Sequence, residues 1–367
     1  MEGDTNVKCR VAVVGSGMAG LVTAYLLNQD PEHRYNVEVF EIGEQLSLDS
    51  SSLSVPNPET GNTDRIDLPM RAFSGGFYNN LKAMYDFLGV NVATCPHEAL
   101  LEFPAHDLID YKKKTNGDQH YTVYGGVNQV QRKLSQGLQI RKSARVVSVE
   151  PQAQGTRVCW ESTLDNLRSD TSEAIFDRVI LAVPPNVVQA IFKPLRYEMS
   201  QIPTISVQSV VHSDETTIGR LSGTDILHSL STKTLRKGSD AQIIYLRTFA
   251  EDEPQTESIH VQPSGLLVTT CPVSVIDPTK TTQCSTFTRV LRTPQSRQII
   301  TDVFNRTSSG PQVHQEKSKP QWRNGDEGVW LVGGWCWDGM VLLEGCIISS
   351  MIVADAFGVE IPWKCYL

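Results

Sequence analysis

The sequence predicts an α/β fold: a parallel sheet assembled from separated pieces of the chain, with an antiparallel sheet inserted between them. Three observations carry this expectation. Residues 10–14, "RVAVV", form a continuous β-branched run of the kind buried in parallel sheets, and glycines follow at positions 15, 17 and 20. Two further apolar runs, "DRVILAVPP" at 177–185 and "VWLVGG" at 329–334, lie far downstream. Between residues 200 and 290 the segments "ISVQSVVH", "AQIIYLRTF", "SIHVQP" and "GLLVTTCPV" come with polar loops between them, as in a mostly antiparallel sheet.

Each element follows from local pattern. "MAGLVTAYLLNQ" places apolar residues at helical spacing until "DPEHR" stops it, and "VEVFE" at 37–41 reads as a second strand. Residues 47–64, "SLDSSSLSVPNPETGNTD", are serine-rich with Pro, Asn and Gly, and are expected to be a mobile loop before "IDLPMRAF" returns to order. "YNNLKAMYDFLG" carries Leu81, Met84, Tyr85 and Leu88 on one helical stripe, with Gly89 as its stop. "HYTVYGGVNQVQRKLSQGL" reads as strand, glycine pair and helix, and "ARVVSVE" with "TRVCWES" as antiparallel strands. The segment "VWLVGGWCWDGMVLLEGCIISSMIVADAFG" is a strand, a glycine-aromatic turn and a helix that stops at Gly358. The sequence contains no internal repeat.

A hydrophobic content of 40% in 367 residues supports more than one domain-sized core, and the net charge of −8 argues against nucleic acid or an anionic membrane, since both need a basic face. The eight cysteines include no CxxC pair and read as reduced thiols of an intracellular protein. "MEGDTNVKCR" lacks the apolar core of a secretory signal, and no apolar run reaches the length of about 18 residues that a transmembrane span requires. A cytoplasmic location is the expectation. The oligomeric state cannot be read from the sequence.

The chemistry begins at "VVGSGMAG". Gly15 permits a tight turn out of the strand, Gly17 lets backbone approach a pyrophosphate, and Gly20 allows close helix–strand packing; the diphosphate would then sit at a helix N-terminus. Glu41, 21 residues after Gly20, ends the second strand, where a carboxylate can accept both hydroxyls of an adenosine ribose and repels a 2′-phosphate. Strand, turn, helix and strand together make the βαβ opening of a Rossmann-type domain. The carboxylate at Glu41 disfavours NADP relative to FAD or NAD. The distant strand-turn-helix distinguishes these two, because many FAD enzymes bring such a unit back so that a second helix N-terminus faces the flavin and ribityl.

Taken in order, "VAVVGSGMAGLVTAYLL", "VEVFE", "GGVNQVQRKL", "ARVVSVE", "DRVILAVPP" and "LLEGCIISSMIVAD" resemble the flavin-containing amine oxidase superfamily, with a closer likeness to its fungal and bacterial FAD-binding amine oxidoreductase-like members. The resemblance implies noncovalent FAD held by a discontinuous Rossmann-type domain at 1–90, 118–190 and 319–367, with an antiparallel substrate domain at 191–318. Carried over by position, Gly15, Ser16, Gly17, Met18, Ala19 and Gly20 would hold the pyrophosphate, Glu41 the ribose, and Val146 the adenine through its backbone. Gly333 and Gly334 would flank the ribityl, Glu344 with Gly345 would begin the last helix, and Arg71 in "LPMRAF" would lie where the chain passes the flavin, a surface salt bridge being an equally simple account of it.

The chain also departs from that pattern. The usual "GGR" after the second strand is replaced by the serine-rich segment, and the acidic residue of the C-terminal turn is replaced at Gly334-Trp335. After "YDFLGV", where relatives carry a helical part of the substrate domain, the chain passes directly into "NVATCPHEALLEFPA", which reads as an internal deletion. The implied reaction is hydride transfer from an amine or a carbon–carbon bond of a small apolar metabolite to flavin, followed by reoxidation by dioxygen; a fungal secondary-metabolism setting fits the likeness. A desaturase or double-bond isomerase on the same scaffold, and a shortened, catalytically silent relative acting through protein contacts, stand as alternatives. No catalytic side chain stands out. Trp335 and Trp337 would either wall the flavin or pack the turn, and Cys336 lacks the spacing of a flavin-linked cysteine. "CPH" at 95–97 lacks the second ligand pair of a metal site; "EDEP" at 251–254 reads as a solvated loop, and "KKK" at 112–114 as the same or as a contact for an anionic partner.

Overall fold

The computed structural model describes residues 8–57, 61–69, 72–74, 76–95, 98–103, 106–110, 120–164, 171–219, 243–249, 255–262, 264–304 and 322–363. Val11, Ala12 and Val13 are wholly buried because the strand β1 (Cys9–Val14) has partners on both edges and packing on both faces. It is the centre of a five-stranded parallel sheet whose order is Gln139–Arg141, β2 (Tyr35–Phe40), β1, Arg178–Leu181 and Val329–Leu331. Val11 and Val13 face one core, shared with the helix α1 (Met18–Asn28) and the closing helix Leu343–Ala356, while Ala12 and Val14 face the other. This two-sided burial explains why the strands read as unbroken apolar runs.

The second core lies under the antiparallel meander Ala144–Gln152, Gly155–Ser162 and Ser172–Phe176, which contributes Val146, Val149, Val158 and Phe176. A separate seven-stranded sheet runs in the order Thr281–Val290, Thr204–His212, Leu267–Thr270, Gln255–Val261, Ile243–Phe249, Glu98–Phe103 and His106–Asp110. All its neighbours are antiparallel except Ile243–Phe249 with Glu98–Phe103. The fold is thus the expected one, a discontinuous parallel sheet plus antiparallel sheets.

The serine-rich segment departs from expectation. In place of a mobile loop, Leu53–Pro56 and Thr63–Ile66 pair as an antiparallel hairpin. Val55 and Ile66 point from it into a small core with Leu68, Val211 and Val268, and Gln283 Nε2 donates to Ser51 O at 2.6 Å. Composition misleads here because the few apolar residues alternate, and alternation anchors a strand whatever lies between. At the expected deletion, the helix α2 (Asn79–Phe87) ends on Gly89 in a left-handed conformation (φ 60°), and Val92–Cys95 pairs at once with His120–Val123.

Two outcomes follow. Ile66→Ala should cost about 2–4 kcal/mol in urea unfolding, a loss absent if the hairpin were mobile. His260, on Gln255–Val261, is largely shielded from water, and burial pushes its imidazole down to about 4. Its folded value lies below its unfolded one, so the unfolded chain takes up the proton first as pH falls. Stability should therefore decline from pH 7 toward pH 4, and His260→Leu should flatten that slope in pH-resolved thermal melts.

Candidate functional site

The expected elements converge at the carboxyl ends of the parallel strands. Gly15 follows β1, Glu41 follows β2, and Gly333 follows Val329–Leu331. This is where ligands bind in open α/β sheets. Gly15 has φ +103°, and a Cβ there would come within 2.7 Å of Ala182 O. A Cβ on Gly20 would come within 2.0 Å of Gly15 O, so α1 approaches the turn as closely as backbone permits. Gly17 caps α1 without a side-chain hydrogen bond, and the first turn carries no acidic residue. An anion thus finds unopposed amides and the positive end of the dipole there.

Ser16 is wholly buried, and Glu41 is 3% exposed. The backbone N–H of Ser16 donates to Glu41 Oε2 at 3.3 Å, its hydroxyl donates to the same oxygen, and the N–H of Gly43 donates to Oε1 at 2.8 Å. Ser47 N donates in turn to Ser16 Oγ at 2.9 Å. A carboxylate offers about four acceptor positions. Three of Glu41's are taken by its own chain, which fixes its orientation and leaves room on Oε1 for one further donor rather than the two hydroxyls expected.

Ala144, two residues before Val146 on the same strand, donates its N–H to Glu41 O at 2.9 Å, and the strand bulges between Val146 and Ser148. Met18 and Ala19 are buried in the first turn of α1, where Ala19 O accepts hydroxyls from Thr23 at 2.8 Å and from Ser350 of the closing helix at 3.0 Å. Gly333 is bound to the same helix, its N–H donating to Ser349 Oγ at 3.0 Å. Two segments 331 residues apart are therefore fastened at one place.

Glu344 sits at the start of the closing helix, but its carboxylate turns to α2. Oε1 accepts from Asn80 N and Asn80 Nδ2, and Oε2 accepts from Leu81 N, all at 2.9 Å. It supplies the cap that α2 lacks from its own sequence, since Tyr78 at the N-cap makes no side-chain bond. Trp335 is 4% exposed, packs into the second core and donates from Nε1 to Val183 O at 3.2 Å. Trp337 lies against Gly345 and donates to Met340 O at 2.7 Å. Cys336 is 1% exposed, and burial pushes its thiol well up, so it stays protonated and unreactive. Arg71, the proline and histidine of "CPH", "EDEP" and "KKK" lie outside the described residues.

Sequence reasoning missed Asn80, Ser350 and Arg292, whose guanidinium donates to three carbonyls of the C-terminal turn. Each acts across a long sequence separation, and none belongs to a local motif that spacing alone reveals.

Residues 63–250 match the family model of flavin containing amine oxidoreductases, and residues 13–88 match that of an NAD(P)-binding Rossmann-like domain. No curated protein matches the chain. Among the described residues, no helix is long and apolar enough to cross a membrane.

Replacing Glu344 by Ala leaves three buried donors without acceptors and should cost about 3 kcal/mol in urea unfolding. Glu344→Gln, which keeps one carbonyl acceptor, should fall between.

Proposed function

The chain belongs to the flavin containing amine oxidoreductase family, and from that premise we propose that it is an oxidoreductase using FAD, with an amine or a carbon–carbon bond of a small apolar metabolite as substrate. A flavin cofactor and oxidoreductase chemistry come with the family. The observation that carries the choice of FAD is the pairing of an uncapped α1 terminus with a buried carboxylate fixed at the end of the next strand. The closing helix is tied to that same first turn through Ser350. The residues present fit a flavin dinucleotide, because glycines clear the backbone approach and no side chain caps the amides.

When bound, the flavin supplies acceptance of a hydride from the substrate carbon and passage of the electrons to dioxygen. The residues of the chain bind and orient. The amides of Gly17 to Gly20 would hold the pyrophosphate, that of Ser16 being given to Glu41, and Glu41 would accept a ribose hydroxyl at the acceptor position left on Oε1. Its buried charge opposes a 2′-phosphate, which argues against NADP. The backbone at Val146 would meet the adenine, and the turn at Gly333 and Gly334 would flank the ribityl.

The purified protein should be yellow, and denaturation should release FAD, identified by chromatography, at about one per chain. Glu41→Ala removes one charged hydrogen bond to the cofactor, worth about 1.5–3 kcal/mol, so FAD affinity should fall at least about tenfold. Retention of FMN in place of FAD, or a colourless wild type, would overturn the assignment. Hydrogen peroxide formed in step with turnover across a panel of amines supports the oxidase; conversion without peroxide points to a desaturase or isomerase.

A further inference from the structure

Arg292 stands two residues beyond the edge strand Thr281–Val290 of the seven-stranded sheet and two before the helix Pro294–Val303. Its side chain reaches across to the turn between Val329–Leu331 and the closing helix. Nε donates to Gly339 O at 3.1 Å, and Nη2 donates to Trp335 O at 3.1 Å and Trp337 O at 2.6 Å. One rigid fork thus gathers three alternate carbonyls of a segment that has neither a helix nor a sheet ladder to order it. Carbonyl and N–H of a trans peptide point in opposite directions, so turning these carbonyls toward Arg292 turns the amides of Cys336, Asp338 and Met340 away from it. The Cys336 amide closes onto Gly333 O at 3.0 Å, and the Trp337 indole bonds Met340 O at 2.7 Å. The shape of the turn is therefore set from outside, by a residue of the connection that follows the other sheet's edge strand.

We propose that Arg292 is a positioning residue for the flavin: by fixing the Trp335–Gly339 turn, it makes seating of the cofactor depend on the end of the second sheet's edge strand. The inference rests on the flavin reading above, which sets Gly333 and Gly334, directly before this turn, beside the ribityl. A lysine cannot do the same, because an ammonium on a flexible stem is a point donor without the planar fork.

The test compares wild type, Arg292→Ala and Arg292→Lys by FAD titration, by the visible spectrum of the bound flavin and by thermal melting of the flavin-free proteins. Releasing the turn should weaken FAD binding at least about tenfold in Arg292→Ala, a change of about 1.4 kcal/mol. The bound spectrum should move toward that of free flavin, with Arg292→Lys intermediate. Guanidinium at a non-denaturing concentration should restore the spectrum of Arg292→Ala. If Arg292→Ala fails to fold, Arg292→Lys decides: wild-type affinity and spectrum in it overturn the proposal. A fall in melting temperature with unchanged affinity and spectrum in either variant also overturns it, leaving Arg292 a purely structural residue. A wild type that binds no FAD defeats the flavin reading and the proposal together, whereas a flavin-binding wild type with indifferent variants defeats the proposal alone.

Discussion

The approach of α1 to the turn after β1 governs the rest of the molecule. At Gly20 a single methyl group would overlap Gly15 O, so the helix can sit where it does only as bare backbone. That contact aims the uncapped amides at the carboxyl ends of the strands and leaves α1 flanked by apolar packing along nearly its whole length. A helix buried this way derives its stability from its neighbours rather than from its own propensity. The closing helix is the principal neighbour, and Ser350 binds it to the carbonyl of Ala19 in that same first turn.

The site is thus an assembly of parts that do not suffice alone. Glu41 would be a buried charge without partners if Ser16 and Gly43 did not donate to it, and such a charge is costly. α2 would begin with open amides if Glu344 did not reach it from the last helix. In both cases the carboxylate lies where a helix or turn presents N–H groups, so charge-assisted bonds take the place of water.

Much of the parallel-sheet part of the fold was legible in the sequence because its determinants are local. The strand run, the glycine spacing and the distance to Glu41 are properties of one contiguous βαβ unit, and the C-terminal strand-turn-helix is another such unit. The hairpin at Leu53–Ile66 was hidden by its serines and prolines, since its order comes from Val211 and Val268 on a strand pair far along the chain. Arg292 was hidden for a related reason: its partners are backbone carbonyls, which every residue possesses, and only the fold selects which three it meets. Glu344 was visible as a residue of the closing helix, but its carboxylate caps α2, a contact that depends on how two helices 264 residues apart in sequence come to pack.

That separation also bears on how the chain acquires its structure during synthesis. The first turn of α2 emerges from the ribosome long before the carboxylate that satisfies it, and the outer strand Val329–Leu331 arrives equally late. The nascent chain can form β1, α1 and β2 early, but one edge of the parallel sheet stays open until Val329–Leu331 pairs, and α2 stays uncapped until the closing helix docks. Contacts of such long range slow folding and leave an interval in which apolar faces are uncovered. The bond that joins Ser350 to the first turn of α1 therefore forms only after the 331 residues that separate it from Ala19 have been made.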